Sequence, residues 1–177
     1  MFSIAAPEPR KSRATKGSVA VLSVWCLGML GNGASSASAA QLTRSVDVAA
    51  TPSAVWSTIG GFCAIKDWHP AIATCREDGR LPPTRTLVTK DGKMTFEEMQ
   101  VARNDAEHTY SYNFVSSPFP VTQYIGTIKV SAKGSGMSTI TWQGTYTPLG
   151  GKEKDANDAF AGVYEAGLAS LKSKFAR

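Results

Sequence analysis

The chain has few of the residues from which most catalytic and metal sites are built: two histidines, His69 and His108, and three cysteines, Cys26, Cys63 and Cys75, among 177 residues. No spacing among them matches a zinc-binding set, so neither a metal nor another cofactor is expected. There is no Gly-x-Ser-x-Gly, no phosphate-binding loop, no Cys/His pair with an orienting third group and no usefully spaced carboxylate pair. Gly134-x-Gly136 follows a strand pattern but opens no helix, which excludes a dinucleotide fingerprint there. Long hydrophobic runs are also missing. The apolar stretch Val19 to Leu30 is twelve residues long, short of the roughly 20 that a membrane-spanning helix requires.

That stretch instead reads as an address. Arg10, Lys11, Arg13 and Lys16 precede it, and the small residues from Gly33 to Ala40 follow it. Ala37-x-Ala39 and Ser38-x-Ala40 both fit the pattern a signal peptidase accepts, so residues 1–40 are expected to be a cleavable signal and 41–177 a single exported domain, periplasmic or secreted. Cys26 raises the alternative of a lipid anchor, against which Trp25, a bulky residue immediately before it, argues. Residues 1–40 hold four of the 19 Lys+Arg and one of the 14 Asp+Glu, so the remainder carries 15 against 13, a net charge of +2. With no basic cluster left, a nucleic-acid partner loses its electrostatic support.

Cys63 and Cys75 remain after cleavage, and in an oxidising compartment they read as one disulfide, the alternative being two buried thiols.

The pattern of elements starts with a strand over 41–49. Thr51-Pro52-Ser53 then reads as a helix start, with Thr51 as N-cap and Pro52 in the first turn, and the helix stops at Gly60-Gly61. A second short helix is expected from Phe62 to Asp67, ahead of Pro70. From Ala73 to Pro148 strands follow one another, and Asp91-Gly92 is expected to form a type I′ hairpin turn between 84–90 and 93–103. Further corners fall at Asn104-Asp105, Ser117 to Pro120 and Gly134 to Gly136. Tyr110, Tyr112 and Phe114 share one side of their strand, as do Tyr124, Ile128 and Val130, and Ile140, Trp142 and Tyr146. This predicts an antiparallel sheet with one aromatic, covered face. The cover is expected from a helix over 152–174, whose stripe comprises Phe160, Val163, Tyr164, Gly167, Leu168, Leu171 and Phe175.

This order of elements resembles the α+β helix-grip fold of the SRPBCC or START-like superfamily: a curved sheet of about seven strands, two short helices after the first strand and a long C-terminal helix. The phrase Ala50 to Trp56, the run from Phe62 through Trp68-His69-Pro70, Glu98, Tyr110-Ser111-Tyr112, Ser117-Pro118 with Pro120 and Tyr124, and Trp142 with Pro148 resemble the polyketide cyclase/dehydrase-like branch. The chain also resembles the periplasmic accessory proteins of methanol-oxidation clusters, the MxaD type.

The resemblance implies a cavity between sheet and long helix, with Trp68, His69, Glu98, Tyr110, Tyr112, Tyr124, Trp142, Tyr146, Phe160 and Tyr164 as candidate lining residues. Alternatively these aromatics simply fill the core. Strand alternation puts Phe96, Glu98 and Gln100 on one side, and an inward Glu98 would transfer a proton, bind a guest or pair with Lys66 or Arg85. His69 is the other candidate for acid/base work, or for gating the cavity mouth. Three functions compete: a binding module for a small hydrophobic or aromatic ligand; an accessory protein docking on a dehydrogenase or cytochrome through Lys90, Lys93, Lys129 and Lys133; and a cyclase or dehydratase-like enzyme using Glu98 or His69.

Overall fold

The structure, a computed structural model, describes residues 38–176. The signal reading therefore falls outside the described residues except at Ser38 to Ala40. Ten elements follow in order: β1 (Ala40–Val48), α1 (Pro52–Ile59), α2 (Ile65–Trp68), β2 (Ile72–Glu77), β3 (Thr84–Thr89), β4 (Thr95–Asn104), β5 (Thr109–Ser116), β6 (Val121–Ala132), β7 (Ser138–Pro148) and α3 (Glu153–Lys174).

The seven strands form one antiparallel sheet in the order β1-β7-β6-β5-β4-β3-β2, so the first strand joins the last and the rest is a meander. Alternation is nearly strict along β7, where Ser138, Ile140, Trp142, Gly144 and Tyr146 point inward and the residues between them do not. Bulges in the β4–β5 pairing at Glu97/Glu98 and Gln100/Ala102, and in β6–β7 between Thr122 and Ile125, bend the sheet around its covered face. Gln123, within the last of these, takes a left-handed φ of 53°.

α3 covers that face. Ala156, Phe160, Tyr164, Gly167, Leu168 and Leu171 form its buried stripe, spaced by three and four residues as the helix period requires. Glu153 and Asp155 in its first turn and Lys172 and Lys174 in its last complement the helix dipole. Arg44 of β1 bonds Glu165 at 2.7 Å on the exposed flank. α1 is capped as its sequence requires: Thr51 is extended, and its hydroxyl accepts from the Ala54 amide at 3.3 Å.

Two local readings need correction. The β3–β4 connection is not a two-residue type I′ turn. β3 ends at Thr89 and β4 begins at Thr95, and of Asp91 and Gly92 only Gly92 has positive φ, 70°. The reason lies in Asp91, whose carboxylate accepts from the Thr89 hydroxyl at 2.6 Å and the Lys93 amide at 3.1 Å, while Gly92 N–H bonds Thr89 O at 2.9 Å. These bonds hold a wider loop in which one left-handed residue suffices. The second helix is shorter than expected, Ile65–Trp68 rather than 62–67. Here the Phe62 carbonyl is taken by Arg85, and the residues before Ile65 close only tight turns such as Ala64 N–H to Gly61 O at 2.9 Å.

Cys63 and Cys75 are placed as a disulfide pair, Cα–Cα 5.4 Å, linking the turn before α2 to β2. Among the described residues, no helix is long and apolar enough to cross a membrane, and no group of three or more His, Cys, Asp or Glu is placed to hold a metal ion.

Candidate functional site

A cavity of about 60 Å³, partly open to the surface, lies between the sheet and α3. Of the candidate residues, His69, Glu98, Tyr112, Tyr124, Trp142, Phe160 and Tyr164 line it. Trp68, Tyr110 and Tyr146 do not: Trp68 packs edge-on against Trp142 at 5.6 Å between centroids, Tyr110 lies edge-on to Phe62 at 5.8 Å, and Tyr146 packs against Phe160 at 4.5 Å. These three are core side chains whose neighbours, rather than they themselves, reach the void. The wall also includes residues that the sequence reading missed, among them Ile65, Leu87, Met94, Phe96, Phe114, Phe119 and Val163. The inward parity of Leu87, Phe96 and Phe114 along their strands was a usable signal; Met94 and Phe119 sit in loops, where no periodicity marks them.

At the floor the polar groups form a chain. Trp142 Nε1 donates to the Tyr112 hydroxyl at 2.9 Å; the Tyr112 and Tyr124 hydroxyls are 3.1 Å apart, and those of Tyr124 and Tyr164 2.8 Å. Two glycines make the space. Gly126 of β6 stands between Tyr112 of β5 and Gly144 of β7 in the ladder, and a Cβ on Gly126 would lie 2.6 Å from Tyr112 Cζ. A Cβ on Gly144 would collide with the Tyr164 hydroxyl. Burial pushes the hydroxyls of Tyr112, Tyr124 and Tyr164 well above the usual phenol range, so all three stay protonated at neutral pH. The rings stack tightly, Trp142 on Tyr164 with centroids 4.4 Å apart and Tyr124 on Phe160 at 4.8 Å.

Beside this chain lies a buried ion pair. Arg85, fully buried, donates Nε–H to Glu98 Oε2 at 2.7 Å, and its Nη2 is 2.6 Å from the same oxygen. Its Nη1 donates to the Phe62 carbonyl, and its guanidinium lies over the Phe62 ring at 4.1 Å. Of the two partners left open for Glu98, the structure selects Arg85; Lys66 is half-exposed and pairs with Asp67 at 3.1 Å. Burial raises the Glu98 carboxyl above its ordinary range, and Arg85 opposes that shift by charge and hydrogen bond. Burial works against the Arg85 charge too, but Glu98, Tyr110 and Tyr112 together more than offset it, so the guanidinium stays cationic.

His69 is 3% exposed and spoken for at both ring nitrogens. Nδ1 accepts from the Ala71 amide at 3.2 Å, so Nε2 carries the proton and donates to the Val163 carbonyl of α3 at 3.0 Å. Burial lowers its pKa below the usual imidazole value, the Val163 bond pulls the other way, and the positive charge of Lys90 adds to the lowering. The ring thus clasps the α2–β2 loop onto α3. Gly167 permits the approach, since a Cβ there would lie 2.7 Å from His69 Cδ2 and 2.9 Å from Trp142 Cζ3.

A hollow of about 240 Å³ on the surface is lined by Ala71, Thr89, Lys90, Asp91 and Met94, and shares Ala71, Thr89 and Met94 with the cavity wall. The thioether of Met94, unbranched and adaptable, is thus common to the void and the hollow.

Comparison with solved structures places this architecture among known ones. The protein XoxI from Bacillus cereus is 36% identical, with 77% of this chain and 95% of that one covered at a TM-score of 0.73. An uncharacterised protein from Bacillus thuringiensis is 34% identical, with coverages of 77% and 98% and a TM-score of 0.72. The Zhui aromatase/cyclase from Streptomyces sp. R1128 shares the fold alone, at 14% identity, coverages of 77% and 93% and a TM-score of 0.63. No curated protein matches the chain. The family described as polyketide cyclase / dehydrase and lipid transport matches residues 39–176, which is the whole sheet together with all three helices. The chain therefore belongs to that family, and its α+β helix-grip fold is the family's own.

Proposed function

We propose that the mature chain is an exported, non-catalytic binding module that holds a small hydrophobic or aromatic guest between the sheet and α3. The observation that carries this reading is the cavity itself, an almost wholly apolar void over which a carboxylate and a hydroxyl chain are held in fixed positions. Its size bounds the guest. A void of about 60 Å³ has room for a few waters, at about 10–15 Å³ each, so a guest of many heavy atoms enters only if Met94 or its neighbours give way. Export is supported by the basic, apolar and small-residue succession of residues 1–40 and by the Cys63–Cys75 pairing.

Catalysis has less support. His69 has no free ring nitrogen, Glu98 is tied to Arg85, and no nucleophile with a base beside it lines the cavity among the described residues. Docking on a dehydrogenase or cytochrome through Lys90, Lys93, Lys129 and Lys133 is weakened because Lys133 already pairs with Asp47 and the other three are spread between the β3–β4 loop and β6.

Native mass spectrometry of the protein exported from the full chain and recovered without added ligand tests the reading. An excess mass that disappears on denaturation, on a chain starting at Ala40 or Gln41, is the expected result. A chain retaining residues 1–40 overturns export, and a bare mass that no apolar compound alters overturns the binding module.

A further inference from the structure

We propose that the cavity selects guests bearing a hydroxyl on an apolar body, small alcohols or phenols, over hydrocarbons of the same shape; the proposal rests on the binding-module reading above. Two unmatched groups carry it, one a donor and one an acceptor.

The donor follows from counting protons. Tyr112, Tyr124 and Tyr164 bring three hydroxyl protons and make two bonds with one another. Trp142 adds its own N–H to the Tyr112 oxygen and takes none. Whichever way the chain is oriented, one tyrosine proton is left with no acceptor among the described residues, and all three rings line the cavity.

The acceptor is Glu98. Both Arg85 nitrogens that approach it converge on Oε2, leaving Oε1 without a donor among the described residues. Glu98 is 5% exposed and lines the same void. A carboxylate with an idle oxygen and a phenol with an idle proton, facing an otherwise apolar space, are each left unsatisfied by a hydrocarbon.

A hydroxyl group can serve either need, giving its proton to Glu98 Oε1 or accepting the spare tyrosine proton. An ether or ketone serves only the tyrosine. A carboxylate guest is repelled by Glu98, and an amine that arrives protonated stands beside Arg85 and leaves the tyrosine unserved. Sites built to hydrogen-bond a substrate group discriminate strongly against analogues lacking it, because their own buried groups are left unpaired.

Calorimetric titration of the protein with phenol, anisole and toluene tests this. Phenol and toluene have the same heavy-atom count and nearly the same shape, and burial of apolar area favours toluene, so a preference for phenol reports the hydrogen bonds. Phenol is expected to bind at least about tenfold more tightly than toluene, with anisole between them. In the double variant Arg85→Met/Glu98→Met, which removes the acceptor without stranding a buried charge, phenol's advantage over anisole should fall to within about twofold. If toluene binds as tightly as phenol, the proposal is wrong and the binding module stands. If none of the three binds, both fall together. The wild-type ranking decides the matter even if the double variant does not fold.

Discussion

Gly126 of β6 faces Gly144 of β7 across the ladder, and the tyrosine hydroxyls occupy the room their missing side chains leave. Alanine at either position forces carbon into that room. At Gly126 the obstacles are the Tyr124 hydroxyl and the Tyr112 Cζ, the latter at 2.6 Å; at Gly144 it is the hydroxyl tip of Tyr164, with Tyr124 Cε2 next at 3.1 Å. Overpacking of this kind costs about 1–3 kcal/mol. Gly126→Ala is expected at the upper end and Gly144→Ala lower, because at Gly126 two tyrosines must give way, whereas at Gly144 only the Tyr164 hydroxyl lies closer than 3.0 Å. Urea denaturation of the two variants checks the order; equal, negligible losses would show that the hydroxyl chain has slack.

Removing one member of the Arg85–Glu98 pair leaves the other charge buried without compensation. Glu98→Ala or Arg85→Met alone is expected to cost about 3–5 kcal/mol, whereas the double change to methionine, which removes both charges, should cost distinctly less than the sum. A double-mutant cycle by chemical denaturation measures the coupling. Additive losses would mean that the two charges do not depend on one another.

His69 provides a pH dependence whose sign is set by its depressed pKa. The unfolded chain's histidine takes up a proton near 6.5, while the folded one, buried and already donating through Nε2, does so only at lower pH. Its contribution to stability is therefore complete above about pH 6.5 and is lost as pH falls from there through the folded pKa. The stability difference between the wild type and His69→Gln should shrink on going from pH 7.5 to pH 5. A constant difference would show that His69 is not held neutral.

The Cys63–Cys75 pair closes a short loop between the turn before α2 and β2. The protein recovered from an oxidising compartment is expected to be about 2 Da lighter before reduction than after it, since forming the bond removes two hydrogens. The double change to serine should lower stability by about 3 kcal/mol in the chain-entropy account. An unchanged mass on reduction, together with two alkylatable thiols, would assign these residues to the buried-thiol alternative.

Much of the scaffold was legible because periodicity is a one-dimensional property. The period-two aromatics of 110–114, 124–130 and 140–146 marked the covered face. The three-and-four spacing from Phe160 to Leu171 marked the helix upon it. Parity put Glu98 on one side with Phe96 and Gln100 and Glu97 on the other, and the family resemblance chose the side of Glu98 as the inward one. Turn geometry was less legible: Asp91-Gly92 suggested a tight hairpin, and a side-chain contest among Thr89, Asp91 and Lys93 settled on a wider one. Parity also nominated Tyr110 and Tyr146 for the cavity, but facing the covered side is not the same as reaching the void.

By itself, then, the sequence determined the order of the elements, their inward faces and the small-residue run before β1, because each follows from neighbours within a few positions. Only the tertiary structure decided that Arg85 rather than Lys66 meets Glu98, that both nitrogens of His69 are occupied, and that three tyrosines from β5, β6 and α3 join their hydroxyls over two glycines. Apart from the Ala71 amide on His69 Nδ1, two positions away, these are contacts between residues 12 to 94 positions apart, set by sheet curvature and the approach of α3.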